Sequence, residues 1–169
     1  MESESVMRVR AALRAAGHPD DIQAFPEGTR TAAEAAAAIG CDVAQIAKSI
    51  VFRAGERAAV VVASGANRVE PALAGAALGV TLARADAAFV REATGFAIGG
   101  VAPVGHIAPP LLLLDEDLFA LGTLWAAAGS PNHVFRTDAE ALRRITGAGV
   151  AAVQHRDAAL RFEAGRPGA

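Results

Sequence analysis

The stretch Asp42-Val43-Ala44-Gln45-Ile46-Ala47-Lys48-Ser49-Ile50-Val51-Phe52-Arg53 decides how the chain is read. It starts as a short helical turn and runs into a strand. Strand side chains repeat every two residues, so Lys48, Ile50 and Phe52 share one face and Ser49, Val51 and Arg53 the other. The face with two large apolar residues is expected to be the buried one. That puts Lys48 on the inward side, at the beginning of the strand, where a cavity can open. Composition singles out the same residue, since the chain has 15 arginines and one lysine. A lone lysine in so Arg-rich a chain suits a task that arginine's planar fork cannot perform. The plainer reading is a stem lying along the strand edge with its ammonium in water. The strand by itself leaves both open.

At 169 residues the chain fits one domain, 1–169, with a core over about 6–155 and a tail at 161–169 expected to fray. With 53% hydrophobic and 20% charged residues it reads as globular, not disordered. A net charge of -2 argues against a protein that grips double-stranded DNA by charge alone. The single cysteine, Cys41, excludes an internal disulfide and fits a reducing compartment. Residues 1–5 are polar and acidic, unlike a signal peptide, and no run approaches the ~18 apolar residues of a membrane span. A cytoplasmic chain with no membrane partner is the expectation.

Outward from the opening stretch, helices and short strands alternate. Val6, Val9 and Leu13 recur at helical spacing over residues 5–16, and residues 22–26 read as a strand ended by Pro26. Thr31 and Glu34 form a capping box for a helix closed by Gly40. Residues 49–53 and 58–63 are strands joined by a hairpin at 54–57. Helices follow at 70–78, with Pro71 in the first turn, and at 86–94, capped by Asp86; a short strand at 80–83 lies between them. Leu111-Leu112-Leu113-Leu114 reads as a strand buried on both faces. Strands at 124–128 and 133–136, a helix opened by a Thr137-to-Glu140 capping box, and a strand at 150–153 complete the pattern. The fold class is α+β: a mixed α/β domain with one curved, barrel-like mixed sheet flanked by helices.

Few chemistries fit. His18, His106, His133, His155 and Cys41 show no ligand spacing, so no metal and no cofactor is expected. Neither a P-loop nor a G-x-S-x-G elbow is present. Cys41, beside a helix start, is a conceivable nucleophile, though a small buried hydrophobe is the simpler account. The segment Gly99-Gly100-Val101-Ala102-Pro103 is more informative. Glycines let backbone approach a ligand and aim N–H groups at a developing oxyanion, worth ~3 kcal/mol for one good donor. It also reads as a tight connection. Ser130, Asn132 and His133 sit in a turn whose residue types have local reasons to be there.

In order and spacing, Ala47-Lys48-Ser49-Ile50-Val51-Phe52, Gly99-Gly100-Val101-Ala102-Pro103 and Gly129-Ser130-Pro131-Asn132-His133-Val134-Phe135-Arg136 resemble the YbaK/prolyl-tRNA-synthetase-associated editing-domain family, from about residue 6 to 153. The resemblance implies a barrel-like mixed fold and hydrolysis of mischarged aminoacyl-tRNA, notably prolyl-tRNA carrying alanine or cysteine. It implies that Lys48 engages the 3'-terminal adenosine and aminoacyl end of tRNA. It also implies that Gly99 and Gly100 present backbone to the substrate carbonyl, with Pro103 completing the G-x-x-x-P motif. Gly129, Ser130, Asn132 and His133 would close the aminoacyl pocket, with Phe25 and Thr29 on its other wall. A synthetase is a candidate docking partner. The chain has no tyrosine, so any pocket tyrosine of the family has no counterpart here.

An aminoacyl ester is already activated, so such a site needs only to position water and stabilise the carbonyl oxygen. A lysine of ordinary pKa, about 10.4, is a cation and a poor base at neutral pH, so its expected role is electrostatic. Two alternatives to a deacylase stay open: a non-catalytic module of the same fold that binds a nucleotide or aminoacyl-tRNA end, and a Cys41-dependent hydrolase.

Overall fold

The computed structural model describes residues 2–25 and 31–155. Helix α1 (Glu4–Ala15) is capped by the Ser3 hydroxyl, which accepts from the Val6 N–H, and it buries Val6, Val9 and Leu13. Strand β1 (Ile22–Ala24) is followed by α2 (Ala32–Ile39), whose cap is Thr31 and whose stop is Gly40 in the left-handed region. A single 3-10 turn (Val43–Gln45) leads into β2 (Ile46–Ala54). Strand β3 (Arg57–Ser64) returns through a two-residue turn that places Ala54 opposite Arg57. Then come α3 (Pro71–Leu78), β4 (Ala83–Arg84) and α4 (Ala87–Thr94). A loop carries the chain to β5 (Leu111–Asp115), β6 (Thr123–Ala127), β7 (His133–Asp138), α5 (Ala139–Thr146) and β8 (Gly149–Ala151).

The strands form one mixed sheet in the order β1-β7-β6-β2-β3-β5-β8, with β4 added beside β2. The pairs β2–β6, β3–β5 and β5–β8 are parallel and the others antiparallel. The expected barrel does not close. The sheet ends on β1 and β8, strands of three residues each, and it stays open.

A second feature of the topology sets up the site. On the side of β2 away from β3, β6 pairs only with Ile46 and Ala47, and β4 only with Phe52 and Arg53. Between them, residues 48–51 have no strand neighbour on that side among the described residues. The sheet is split there, and the split is where a cavity opens.

Both faces of the sheet are covered. Val60, Val62, Leu114 and Phe135 pack with Val9 and Leu13 of α1, Val90 of α4 and Leu142 of α5 in the main core. Val61, Ala63 and Leu113 pack on the opposite face with Ala74 of α3. Burial of each Leu or Phe in such a core contributes about 1.5–3 kcal/mol before entropy is subtracted. The expectation for β2 needs correcting on this point. Val51 packs on the main core and Phe52 on the smaller cluster, so Lys48 shares its face with the lesser core and Ser49 with the larger. Alternation separates faces but cannot rank two covered ones. The cap of α5 also shifts by one residue. Asp138, not Thr137, accepts from Ala141 N, while Thr137 is buried with its hydroxyl on His18 Nε2.

Candidate functional site

At the split in the sheet lies a cavity of about 250 Å³. Lys48 and Ser49 of β2 form its floor, and Ile98, Gly99 and Val101 one side. Pro131 and His133 stand on another side, and Thr31, Ala32 and Ala35 at the start of α2 close it. A second cavity of about 230 Å³ adjoins it, sharing Ser49, Ile98, Gly99 and Val101. The three segments singled out in the sequence therefore meet at one place.

Lys48 is half-buried, and its ammonium is not loose in solvent. Nζ donates to the carbonyl of Asn67 at 2.5 Å and to that of Gly65 at 3.4 Å. An ammonium carries three donors, so one remains for a ligand. Burial pushes the amine below its usual range, and the nearby Asp115 carboxylate pulls it back up.

The glycine loop owes its shape to local turn chemistry. Gly100 N–H donates to the Ala97 carbonyl at 3.0 Å, closing a turn with Gly99 at its third position and a φ of 91°. That conformation favours glycine, as in a type II turn. The Gly100 N–H is thus spent inside the loop, and its role is close approach: a Cβ there would stand 2.7 Å from Ser130 Cα. Pro103 is buried and is not among the cavity-lining residues. Two side chains hold the loop, one remote in sequence and one from its own far end. Arg8 of α1 donates to the Gly95 carbonyl at 2.7 Å and the Gly105 carbonyl at 3.1 Å, with its guanidinium over the Phe96 ring. His106 Nε2 lies 2.7 Å from the Ala102 carbonyl, and burial depresses its pKa. As a neutral ring it donates through Nε2.

The turn at 129–133 is fixed in a similar way. Ser5 Oγ donates to the Gly129 carbonyl, and Gly129, at a φ of 98°, packs against Ser5 so closely that a Cβ would meet its carbonyl oxygen at 2.7 Å. Ser130 Oγ lies 2.8 Å from Asn132 Oδ1 and 2.5 Å from His133 Nδ1. Asn132 Oδ1 can only accept, so the hydroxyl proton goes there and His133 Nδ1–H donates to Ser130. His133 Nε2 is then left as an acceptor. Asn132 Nδ2 donates to the Phe25 carbonyl, so Phe25 meets the turn through its backbone and is not among the cavity-lining residues. Thr29 lies outside the described residues, as does the 161–169 tail; among the described residues, Thr31, Ala32 and Ala35 line this side of the cavity.

Three participants were not anticipated. Ser49 Oγ is buried without a partner among the described residues, and Ser49 lines both cavities. Asp115 and Asn67 build the loop that receives Lys48. Cys41 packs in one cluster with Trp125 and α2 and is not itself a cavity-lining residue, and burial together with Asp42 pushes its thiol up. That is the opposite of an activated nucleophile. No helix among the described residues is long and apolar enough to cross a membrane.

Comparison with known proteins gives the geometry a context. The aminoacyl-tRNA editing domain family matches residues 26–145. A crystal structure described as a candidate trans-editing enzyme for prolyl-tRNA synthetase superposes with a TM-score of 0.85 at 43% identity, covering 92% of this chain and 100% of that one. A structure from work on grafting epitope backbones onto scaffold proteins by computational design superposes with a TM-score of 0.84 at 40% identity and the same coverage. The uncharacterized protein YwhH of Bacillus subtilis (strain 168) is 31% identical over 129 residues, 76% of this chain and 82% of its own length. The match covers most of the chain and includes the split strand, the glycine loop and the 129–133 turn: this chain belongs to the aminoacyl-tRNA editing domain family.

Proposed function

We propose that the chain is a free-standing deacylase that hydrolyses the ester of mischarged tRNA, with prolyl-tRNA carrying alanine or cysteine as its substrate class. The observation that carries this reading is the meeting of Lys48, Gly99 and His133 around one cavity at the split in the sheet. Its volume, about 250 Å³, is enough for a small aminoacyl group. A synthetase pocket gains only ~1–3 kcal/mol from one methylene, so small wrong amino acids are the ones that need a second check.

Lys48 anchors the negatively charged or hydroxyl-rich 3' end through its remaining N–H, as a cation and not as a base. The backbone around Gly99 faces the ester carbonyl. Water adds to the carbonyl carbon, the tetrahedral oxyanion is met by nearby donors, and the ribose oxygen leaves with a proton. The Nε2 acceptor of His133 suits the substrate's α-ammonium, and Ser49 Oγ is a free hydroxyl for the water or the ester. The Gly100 N–H is not among the oxyanion donors, because the Ala97 carbonyl already holds it.

The test is a panel of mischarged tRNAs, with alanyl- and cysteinyl-tRNA(Pro) first. Cleavage above the spontaneous rate on one of these and not on prolyl-tRNA(Pro) is expected; spontaneous rates throughout would refute the reading. With contact confined to the acceptor end, log K should fall shallowly with log salt, by about 0.7 per phosphate for a few phosphates. A binding-only module of the same fold would show the affinity without turnover.

A further inference from the structure

Taking the cavity as the deacylation site, we infer that Asp115 and Asn67 are the positioning residues of the reaction, fixing the loop whose carbonyls hold the Lys48 ammonium. The inference starts from a buried carboxylate that the deacylation chemistry leaves unused. Asp115 ends β5, is 1% exposed, and lies beside the end of β3 because Leu114 pairs with Val62. A carboxylate so deep is costly unless every oxygen is occupied. Its Oδ2 accepts from Ser64 N at 3.1 Å and from Asn67 Nδ2 at 2.7 Å, and its Oδ1 from Asp117 N at 2.9 Å.

Asn67 is tied down on every side. Its Nδ2 also donates to Asp117 Oδ2 at 2.8 Å, its Oδ1 accepts from Gln154 Nε2 at 3.2 Å, and its N–H donates to the Ser64 carbonyl. The one group this leaves is its own carbonyl, which receives the Lys48 ammonium. Gly65 seats the loop from the other side: a Cβ there would meet the Val43 carbonyl at 2.3 Å. The turn before β2 and the end of β5 thus grip the same four residues. The two carbonyls receive a compact ammonium whose donors rotate to meet both, a geometry different from the planar fork of a guanidinium. Asp115 also acts on the amine through space, opposing the effect of burial.

Because the chain has one lysine, labelling lysine with 13C at Cε and 15N at Nζ gives a single side-chain signal. Its titration reads the Lys48 environment whether or not the protein hydrolyses anything. In Asp115→Asn the neighbouring negative charge is lost, so the amine should titrate at lower pH than in wild type. Deacylation kcat/KM should drop about 10- to 100-fold, as misplacement by an ångström does. Its alkaline limb should move down in pH together with the NMR titration. Asn67→Ala keeps the carbonyl and loses the ties, and it covers the case in which Asp115→Asn does not fold. A displaced lysine signal and a loss of about tenfold in kcat/KM are expected of it. A folded variant whose lysine signal and titration coincide with wild type overturns the inference. Shifted signals in a protein whose wild type cleaves no mischarged tRNA would uphold the positioning and sink the deacylase reading.

Discussion

The two walls of the cavity hold their groups by opposite means. On the strand wall, a charged side chain is placed by β2 and held by a loop that a buried carboxylate anchors a few ångströms away. On the loop wall, the working surface is backbone, shaped by glycines and braced by Arg8 from α1 and His106 from the loop's own far end. The strand wall concentrates its function in one replaceable side chain, whereas the loop wall spreads its function over a shape. Single substitutions should therefore silence the first without unfolding it, and damage fold and activity together in the second.

The largest effect is expected at Lys48. Lys48→Ala removes the cation on the cavity floor and should lower kcat/KM by about 100-fold or more, the scale of one well-placed electrostatic contact. Its melting temperature should stay near that of wild type, since a half-buried charge is lost with it. Lys48→Arg should recover little, because the longer and wider guanidinium does not fit the half-buried place from which the ammonium meets the Gly65 and Asn67 carbonyls. Full activity in the arginine variant would show that charge alone matters and that the loop of residues 64–67 is incidental.

Gly100→Ala should come next and look different. Its methyl would press on Ser130 backbone from 2.7 Å, so the loop and the 129–133 turn must part. Overpacking of this kind costs about 1–3 kcal/mol, and thermal unfolding would report it as a lower midpoint. Activity should fall with it, by about tenfold, because Gly99 and His133 move relative to each other. A stable but inactive Gly100→Ala would erase the contrast between the walls.

Ser49→Ala probes their junction, with a smaller expected change. Its hydroxyl is buried without a partner among the described residues, so removing it should leave stability unchanged or slightly raised. If Ser49 binds water or ester, kcat/KM should fall about fivefold, the value of one hydrogen bond. An unchanged rate would assign that role to the loop wall.

The sequence made some of this legible and hid the rest for identifiable reasons. Helix ends were plain because capping chemistry is local: Thr31, Asp86, Gly40, Gly95 and Gly147 sit where their side chains or their φ require. Lys48 stood out through rarity, and the glycine loop through its density of glycine and proline. What stayed hidden depends on contacts far apart in the chain. Asp115 reads as the start of an acidic turn, and only the β3–β5 pairing brings it under residues 64–67. Arg8 reads as one arginine on an amphipathic helix, yet it reaches carbonyls 87 and 97 residues away. Ser49 was placed on the outward face because a sheet covered on both sides gives alternation no way to tell the larger core from the smaller. The open edges were missed for a related reason, since closure depends on which short end strands pair.

The smallest effect, and the one that separates the walls most cleanly, is their response to pH. His106 is held neutral by burial, with the Arg8 charge adding to that and the Ala102 carbonyl working against it. Its folded pKa lies below the ordinary 6.5, so below that pH the unfolded chain binds a proton the folded chain does not. Stability then falls as pH drops under 6.5, and the strain lands on the loop wall, because the second ring N–H would be buried without an acceptor. Lys48 has the same sign in a higher pH window: its folded pKa lies below 10.5, so its contribution to stability also improves as pH rises toward that value, but there the gain comes with loss of the charged amine the site uses. His106→Gln keeps a donor for the Ala102 carbonyl and removes the titration. Urea midpoints and kcat/KM at pH 7.5 and 5.5 should fall more for wild type than for this variant, whereas alkaline losses should be equal in the two. Equal acid losses would mean that His106 does not brace the loop wall, and that Arg8 carries it alone.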